Sequence, residues 1–253
     1  MSKLVTGSSL IIGILLIVVF NFLIPGNINV FSENIVEINA FTENLGSNKS
    51  LSQIYFIMIG LGLLFFLNGI LGIYKGVGDR EKDIKALALT LNILAVTLFI
   101  TTIGIANAFA GSAELNMQAY LIAQAAGQAA QTGDPAAMDQ YNIASINSII
   151  AGAASAGIYA VYWGLFSIST YVIYIASIAT GYIIIKSGNH YLNAIMNGIV
   201  GYGLMSVGSI FLILTLIWNV NTELGYQIFT VSQIIWAILI LLLAVNILRS
   251  KKT

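Results

Sequence analysis

The chain has no cysteine, one histidine, two prolines and only 8% charged residues in 253 positions. Without cysteine there are no disulfides, no thiolate metal ligands and no cysteine nucleophile. The single histidine, His190, excludes a metal or haem centre built from several imidazoles. A soluble domain carries roughly 25% charged residues, so the shortage of charge is itself a class assignment. Ten basic and ten acidic side chains leave a formal net charge of zero, and no nucleic-acid partner is expected.

What fills the chain instead is apolar: 58% of residues are hydrophobic and the mean hydropathy is +0.91. A bilayer core needs about 20 apolar residues per helix. Six segments meet that length, near 8–25, 52–74, 86–110, 156–186, 190–218 and 226–248. Closed β-barrels are the other spanning solution, but they alternate apolar and polar residues in short strands. Runs such as "IIWAILILLLAVNIL" do not alternate. The expected fold is an all-α membrane bundle of six transmembrane helices in a single integral membrane domain. The "NFLIPGNINVFSEN" stretch after the first segment has no small-x-small cleavage pattern, so that segment reads as a retained signal anchor.

Lys3, Lys75, Arg80, Lys82, Lys85, Lys186, Arg249, Lys251 and Lys252 all fall on one side of a six-span topology, and Lys49 alone on the other. The positive-inside bias makes that common side cytoplasmic. In a cell membrane both termini are then expected to be cytoplasmic, with the outer loop 26–51 and the segment 111–155 outside. Asn48-Lys49-Ser50 in the first outer segment is an acceptor pattern for N-glycosylation at Asn48. Tyr55, Trp163, Trp218 and Tyr226 fall near outer span ends, and Tyr74, Tyr182 and Tyr191 near inner ones, as an interfacial aromatic belt requires. Trp236, in mid-span, is assigned to helix packing.

The second outer segment carries helix punctuation: Gly133 to close one helix, Asp134 to cap the next and Pro135 for its first turn. Spans three and four are expected to continue outward as a helical hairpin, each arm projecting about 20 residues or ~30 Å. On the first arm Leu115, Ala119, Ile122, Ala123, Ala126 and Ala130 are expected to share an apolar face opposite Glu114 and the glutamines. Ile143, Ile146 and Ile150 repeat helically on the second.

Small residues recur every fourth position at Ala144, Ser148, Gly152, Ala156, Ala160 and Gly164, and the first arm answers with Ala119, Ala123 and Gly127. Such spacing lets helix backbones approach closely where lipid supplies no hydrophobic drive. The expected use is packing of the two arms, and assembly with further copies or with a larger membrane complex.

No charged residue lies inside the six segments away from their ends, which argues against proton relays, pumps and voltage sensors. Neutral polar groups remain, among them Asn92, Asn107, Tyr171 and Asn197. They serve either as interhelical hydrogen bonds or as a path for a small neutral solute or lipid between spans three, four and five. No paired nucleophile and base and no metal-ligand set appears, so the chain is expected to need no cofactor and to be no enzyme by itself, though it could belong to an enzyme complex.

The segments "LGIYKGVGDREKDIKALALTLNILAVTLF" and "YIIIKSGNHYLNAIMNGIVGYGLMSVGSIFLILTLI" resemble parts of a family of six-span, Ile- and Gly-rich archaeal membrane proteins of unknown function. The resemblance covers about half the chain. It implies an archaeal membrane protein and supplies no activity, ligand or site residue.

Overall fold

The computed structural model describes residues 2–25, 38–78, 80–131, 133–220 and 222–250, with backbone alone for 38–41. Residues 26–37 of the expected outer loop, with Glu33 and Glu37, lie outside the described residues, as do Lys251 and Lys252. The fold is all-α: α1 (Lys3–Leu23), α2 (Ile38–Ser47), α3 (Lys49–Gly76), α4 (Lys82–Ala130), α5 (Pro135–Ser187), α6 (Ala194–Ile217) and α7 (Glu223–Arg249). All but α2 are long and apolar enough to cross a membrane. In hydrocarbon an unpaired N–H or C=O costs several kcal/mol, so each crossing closes its hydrogen bonds within its own helix. The protein is a multi-pass membrane protein.

The six long helices stand in a ring that follows chain order, α1–α3–α4–α5–α6–α7, and α7 packs back on α1. Among the described residues, extensive backbone approach occurs between ring neighbours. Glycine makes several of these approaches. A Cβ on Gly13 of α1 would sit 2.5 Å from the Phe66 nitrogen and 2.8 Å from the Gly62 oxygen of α3. On α6, Gly201 and Gly208 touch α5 at Gly181 and Tyr174, while Gly198 of the same run faces open space. The α7–α1 seam closes where a Cβ on Gly7 would lie 2.5 Å from Leu248 and 3.1 Å from the Ala244 oxygen. Beside it the Lys3 ammonium donates to the Ser250 carbonyl at 2.7 Å.

Inside the ring, hydrogen bonds and aromatic rings bridge the wider gaps. The Asn92 amide of α4 donates to the Tyr74 hydroxyl of α3 at 3.2 Å and to the Thr180 hydroxyl of α5 at 2.9 Å. Tyr74 and Thr180 are themselves 2.8 Å apart. Trp236 of α7 packs on Phe66 with ring centroids 4.9 Å apart and donates from Nε1 to the Ser177 hydroxyl at 3.1 Å. The expected role of Trp236 in packing is what its surroundings provide.

The two short connections at the terminal end are joined to each other. The Gly78 N–H donates to the Gly188 oxygen at 3.3 Å and the His190 N–H to the Gly76 oxygen at 2.9 Å. Asn189, buried between them, donates to the Ile73 carbonyl and accepts from the Tyr191 N–H. Gly188 has φ +67, a conformation that favours glycine. Lys3, Lys75, Lys82, Lys85, Lys186 and Arg249 belong to helix ends on this side, and Lys49 to the opposite end.

Two expectations change. The outer segment 26–51 contains α2, whose Gly46 lies so close to α4 that a Cβ would sit 2.9 Å from the Ala113 carbonyl. Leu45 is fully buried there. Trp163, Tyr226 and Tyr74 are core residues instead of belt residues. Trp163 and Tyr226 are held by an edge-on cluster with Phe166 and Phe229, an arrangement that rewards burying rings together. Trp218 remains exposed.

Replacing Gly181 with leucine drives a side chain into the α6 backbone and lowers the thermal midpoint in detergent, with a loss of about 1–3 kcal/mol or more. Gly104→Leu, at a position with open space around it, leaves the midpoint within about 0.5 kcal/mol of the parent.

Candidate functional site in the projecting hairpin

Beyond the ring, α4 and α5 continue together. They leave it where Lys49, at the start of α3, meets Glu114 of α4 at 2.7 Å. From Glu114 to Ala130 is about 24 Å of helix at 1.5 Å per residue. The connection behaves as its residues require: Gly133 takes φ +78, the Asp134 carboxylate accepts from the Ala136 N–H at 3.0 Å, and Pro135 opens α5.

The arms pack through small and polar residues. The Ser112 and Ser155 hydroxyls are 2.8 Å apart, and Ser155 also reaches the Ser112 carbonyl at 3.1 Å. Nearer the tip, a Cβ on Gly127 would lie 3.1 Å from the Tyr141 ring, and one on Gly152 would lie 3.6 Å from the Asn116 amide oxygen. Ala130 and Ala144 are buried, and Ala119, Ala123, Ser148 and Ala156 are half-buried.

The four-residue stripe does not stay on this seam. Ala160 and Gly164 are exposed, and Gly164 has nothing within 4 Å of a Cβ position. The reason is geometric: at 3.6 residues per turn a step of four overshoots by about 40°, so five steps from Ala144 rotate the stripe by about 200°. The seam passes instead through Ser155, Tyr159, Trp163 and Phe166, which mix steps of four and three. Ser155, 1% exposed, is the contact that a strict interval of four misses.

The large apolar residues of the hairpin also face away from the seam. Ile143, Ile146 and Ile150 are exposed, Ile149 is 71% exposed, and on the first arm Leu115, Tyr120, Leu121 and Ile122 are exposed. The expected common face on the first arm therefore divides, with the alanines toward α5 and Leu115 and Ile122 outward. Where Ser112 meets Ser155 the arms are too close for isoleucine, and nearer the tip the space over Gly127 is taken by the Tyr141 ring.

The four candidate path residues lie in separate settings. Asn92 is held by Tyr74 and Thr180. The Asn107 amide oxygen is buried without a hydrogen bond, and its backbone oxygen receives the Gln53 amide at 3.4 Å. Tyr171 donates to the Thr215 carbonyl at 3.2 Å. Asn197, at the terminal end, accepts from the Asn189 N–H at 2.9 Å. None of the four lines the apolar chamber of about 90 Å³ that opens within the ring. Asn48 is an exposed residue between α2 and α3, its amide donating to the Asn44 carbonyl at 3.3 Å. Among the described residues no cluster of three histidine, aspartate or glutamate side chains is placed to hold a metal ion.

No protein-family model, curated protein or solved structure matches the chain.

In this cysteine-free chain, Ser112→Cys combined with Ser155→Cys forms an intrachain disulfide under mild oxidation, seen as a reducible gel shift. Ser112→Cys combined with Gly164→Cys gives none, because Gly164 lies about 13.5 Å beyond Ser155 along α5, farther than a disulfide reaches.

Proposed function

We propose that the protein is a non-enzymatic structural subunit of a cell membrane, with cytoplasmic termini and an external hairpin that associates with a second copy of the chain. The observation that carries this reading is the row of exposed aliphatic residues, Leu115, Leu121 and Ile122 on one arm and Ile143, Ile146 and Ile150 on the other. Burying one such side chain is worth about 1.5–3 kcal/mol, so a projecting rod that leaves six of them in water favours association. Past Glu114, the only charged residues up to Lys186 are Asp134 and Asp139, both near the tip. A like, uncharged surface is the complement such a rod needs, and two-fold pairing of identical chains presents it without a second gene product.

The basic residues grouped at the terminal end support the cytoplasmic assignment by the positive-inside bias. The small-residue stripe contributes one step back from the interface: it holds the arms together and so pushes the aliphatic residues outward. This refines assembly through the stripe itself into assembly through what the stripe displaces.

Single-cysteine Ile146→Cys tests the pairing in native membranes. A crosslinked species of twice the chain mass is expected, and Ile146→Gln combined with Ile150→Gln is expected to weaken the gently extracted oligomer by tenfold or more, about 1.4 kcal/mol. A chain that stays monomeric in both measurements, or that crosslinks only to a different protein, overturns the second-copy reading.

A further inference from the structure

The ring encloses an apolar chamber in its half nearer the hairpin, lined by residues of α1, α3, α4, α5 and α7. Its walls include Ile17, Leu63, Phe99, Phe166 and Phe229, with Trp236 on the side toward the termini. The volume is about 90 Å³, smaller than the ~150 Å³ apolar cavity that accepts a benzene ring. A slim hydrocarbon segment fits it, and a bulky ring system does not.

Three polar side chains reach this wall: Asn21, Thr230 and Gln233. The Thr230 hydroxyl donates to the Tyr226 carbonyl of its own helix at 3.0 Å, and Asn21 has a partner of its own. Gln233 is different: the side chain is half-buried, and among the described residues its amide makes no hydrogen bond. It sits ten residues into α7, about 15 Å along the helix, where the surrounding solvent is hydrocarbon. A primary amide offers two donors and an acceptor, and leaving them unmade away from water costs at least ~1–3 kcal/mol.

Water is a poor answer to that amide. A buried water needs two to four polar partners, and of the three polar side chains on this wall Thr230 and Asn21 are already engaged elsewhere. An occupant that is apolar along its length and carries one hydroxyl or carbonyl meets both demands.

We propose that the chamber binds a neutral single-chain lipid, its hydrocarbon segment against the aromatic wall and its hydroxyl or ester carbonyl hydrogen-bonded to Gln233. The entry side is set by the walls: α1 contributes Asn21 and Phe22 near its far end, and α7 contributes the 42% exposed Ile234. The α1–α7 seam is pinned at the opposite end, by Gly7 and Lys3. The chain of a membrane lipid thus reaches the chamber from the side, between two helices, and never needs to cross the aqueous phase.

Trp236 lines the chamber and reports occupancy directly. The protein carrying Trp163→Phe and Trp218→Phe, in nanodiscs, is titrated with a dibrominated monoacylglycerol, and separately with a phosphatidylcholine brominated on its acyl chains. Saturable quenching of Trp236 by the monoacylglycerol is expected, with only weak, non-saturating quenching by the phospholipid. Gln233→Leu, close in volume and apolar, should weaken the monoacylglycerol midpoint roughly three- to fifteenfold, the span of intramembrane hydrogen-bond strengths. Its thermal midpoint should be unchanged or raised. Ile17→Phe fills the chamber and should abolish the saturable phase independently of hydrogen bonding. Quenching that is linear for both lipids, or a midpoint that Gln233→Leu leaves alone, overturns the proposal. So does a Gln233→Leu protein that is less stable than its parent, because the amide would then have an internal partner.

Discussion

Every crossing of this chain has to satisfy its backbone inside its own helix, because hydrocarbon offers the peptide group nothing. The same solvent removes the hydrophobic effect as a force between helices, since lipid tails are as apolar as leucine. Cohesion must come from close contact and from a few polar groups that find each other. The glycines at Gly13, Gly181, Gly201 and Gly208 supply the first. Asn92 with Tyr74 and Thr180, and Trp236 with Ser177, supply the second. These polar residues serve as joints between helices, whereas Asn107 and Gln233 do not.

A ring in which backbones pack mainly between neighbouring helices leaves its centre to side chains that reach across it. In the half nearer the termini the centre is filled by the asparagine, tyrosine and threonine cluster and by the Phe66–Trp236 pair. Toward the hairpin the filling is aromatic and incomplete, and the chamber is what remains. The hairpin follows the same logic at larger scale. Where α4 and α5 leave the ring, α2 packs on the base of α4, and the two arms stay in contact through residues small enough to let them.

The six apolar helices, the turn at Gly133, Asp134 and Pro135, and the extension of the third and fourth crossings were all legible in the sequence, because length, capping and period act locally. What was not legible depended on rotation and on depth. A stripe at intervals of four looks like one face when written out, yet it winds around α5 from Ala144 to an exposed Gly164. Ile143, Ile146 and Ile150 have a buried face's spacing, but their direction was settled by the narrowness of the seam beside them. Trp163 and Tyr226 sit at a height that suits a belt, and only the facing rings of Phe166 and Phe229 draw them inward. The short α2 has too few apolar residues to announce itself, and its burial rests on Leu45 and on Gly46 against α4.

The ring has one place where sequence distance and spatial distance disagree. Around most of it each helix meets the one synthesised just before it, so contacts form almost as soon as a segment enters the membrane, the situation that favours rapid folding. The α7–α1 seam joins residues 247 positions apart, Lys3 to Ser250. Until the last helix arrives, the earlier ones form an open arc with its inner surface exposed to bilayer lipid. Since both α1 and α7 contribute to the chamber wall, the chamber does not exist during most of the protein's biogenesis. It is created by the final insertion event, when α7 closes the arc against α1.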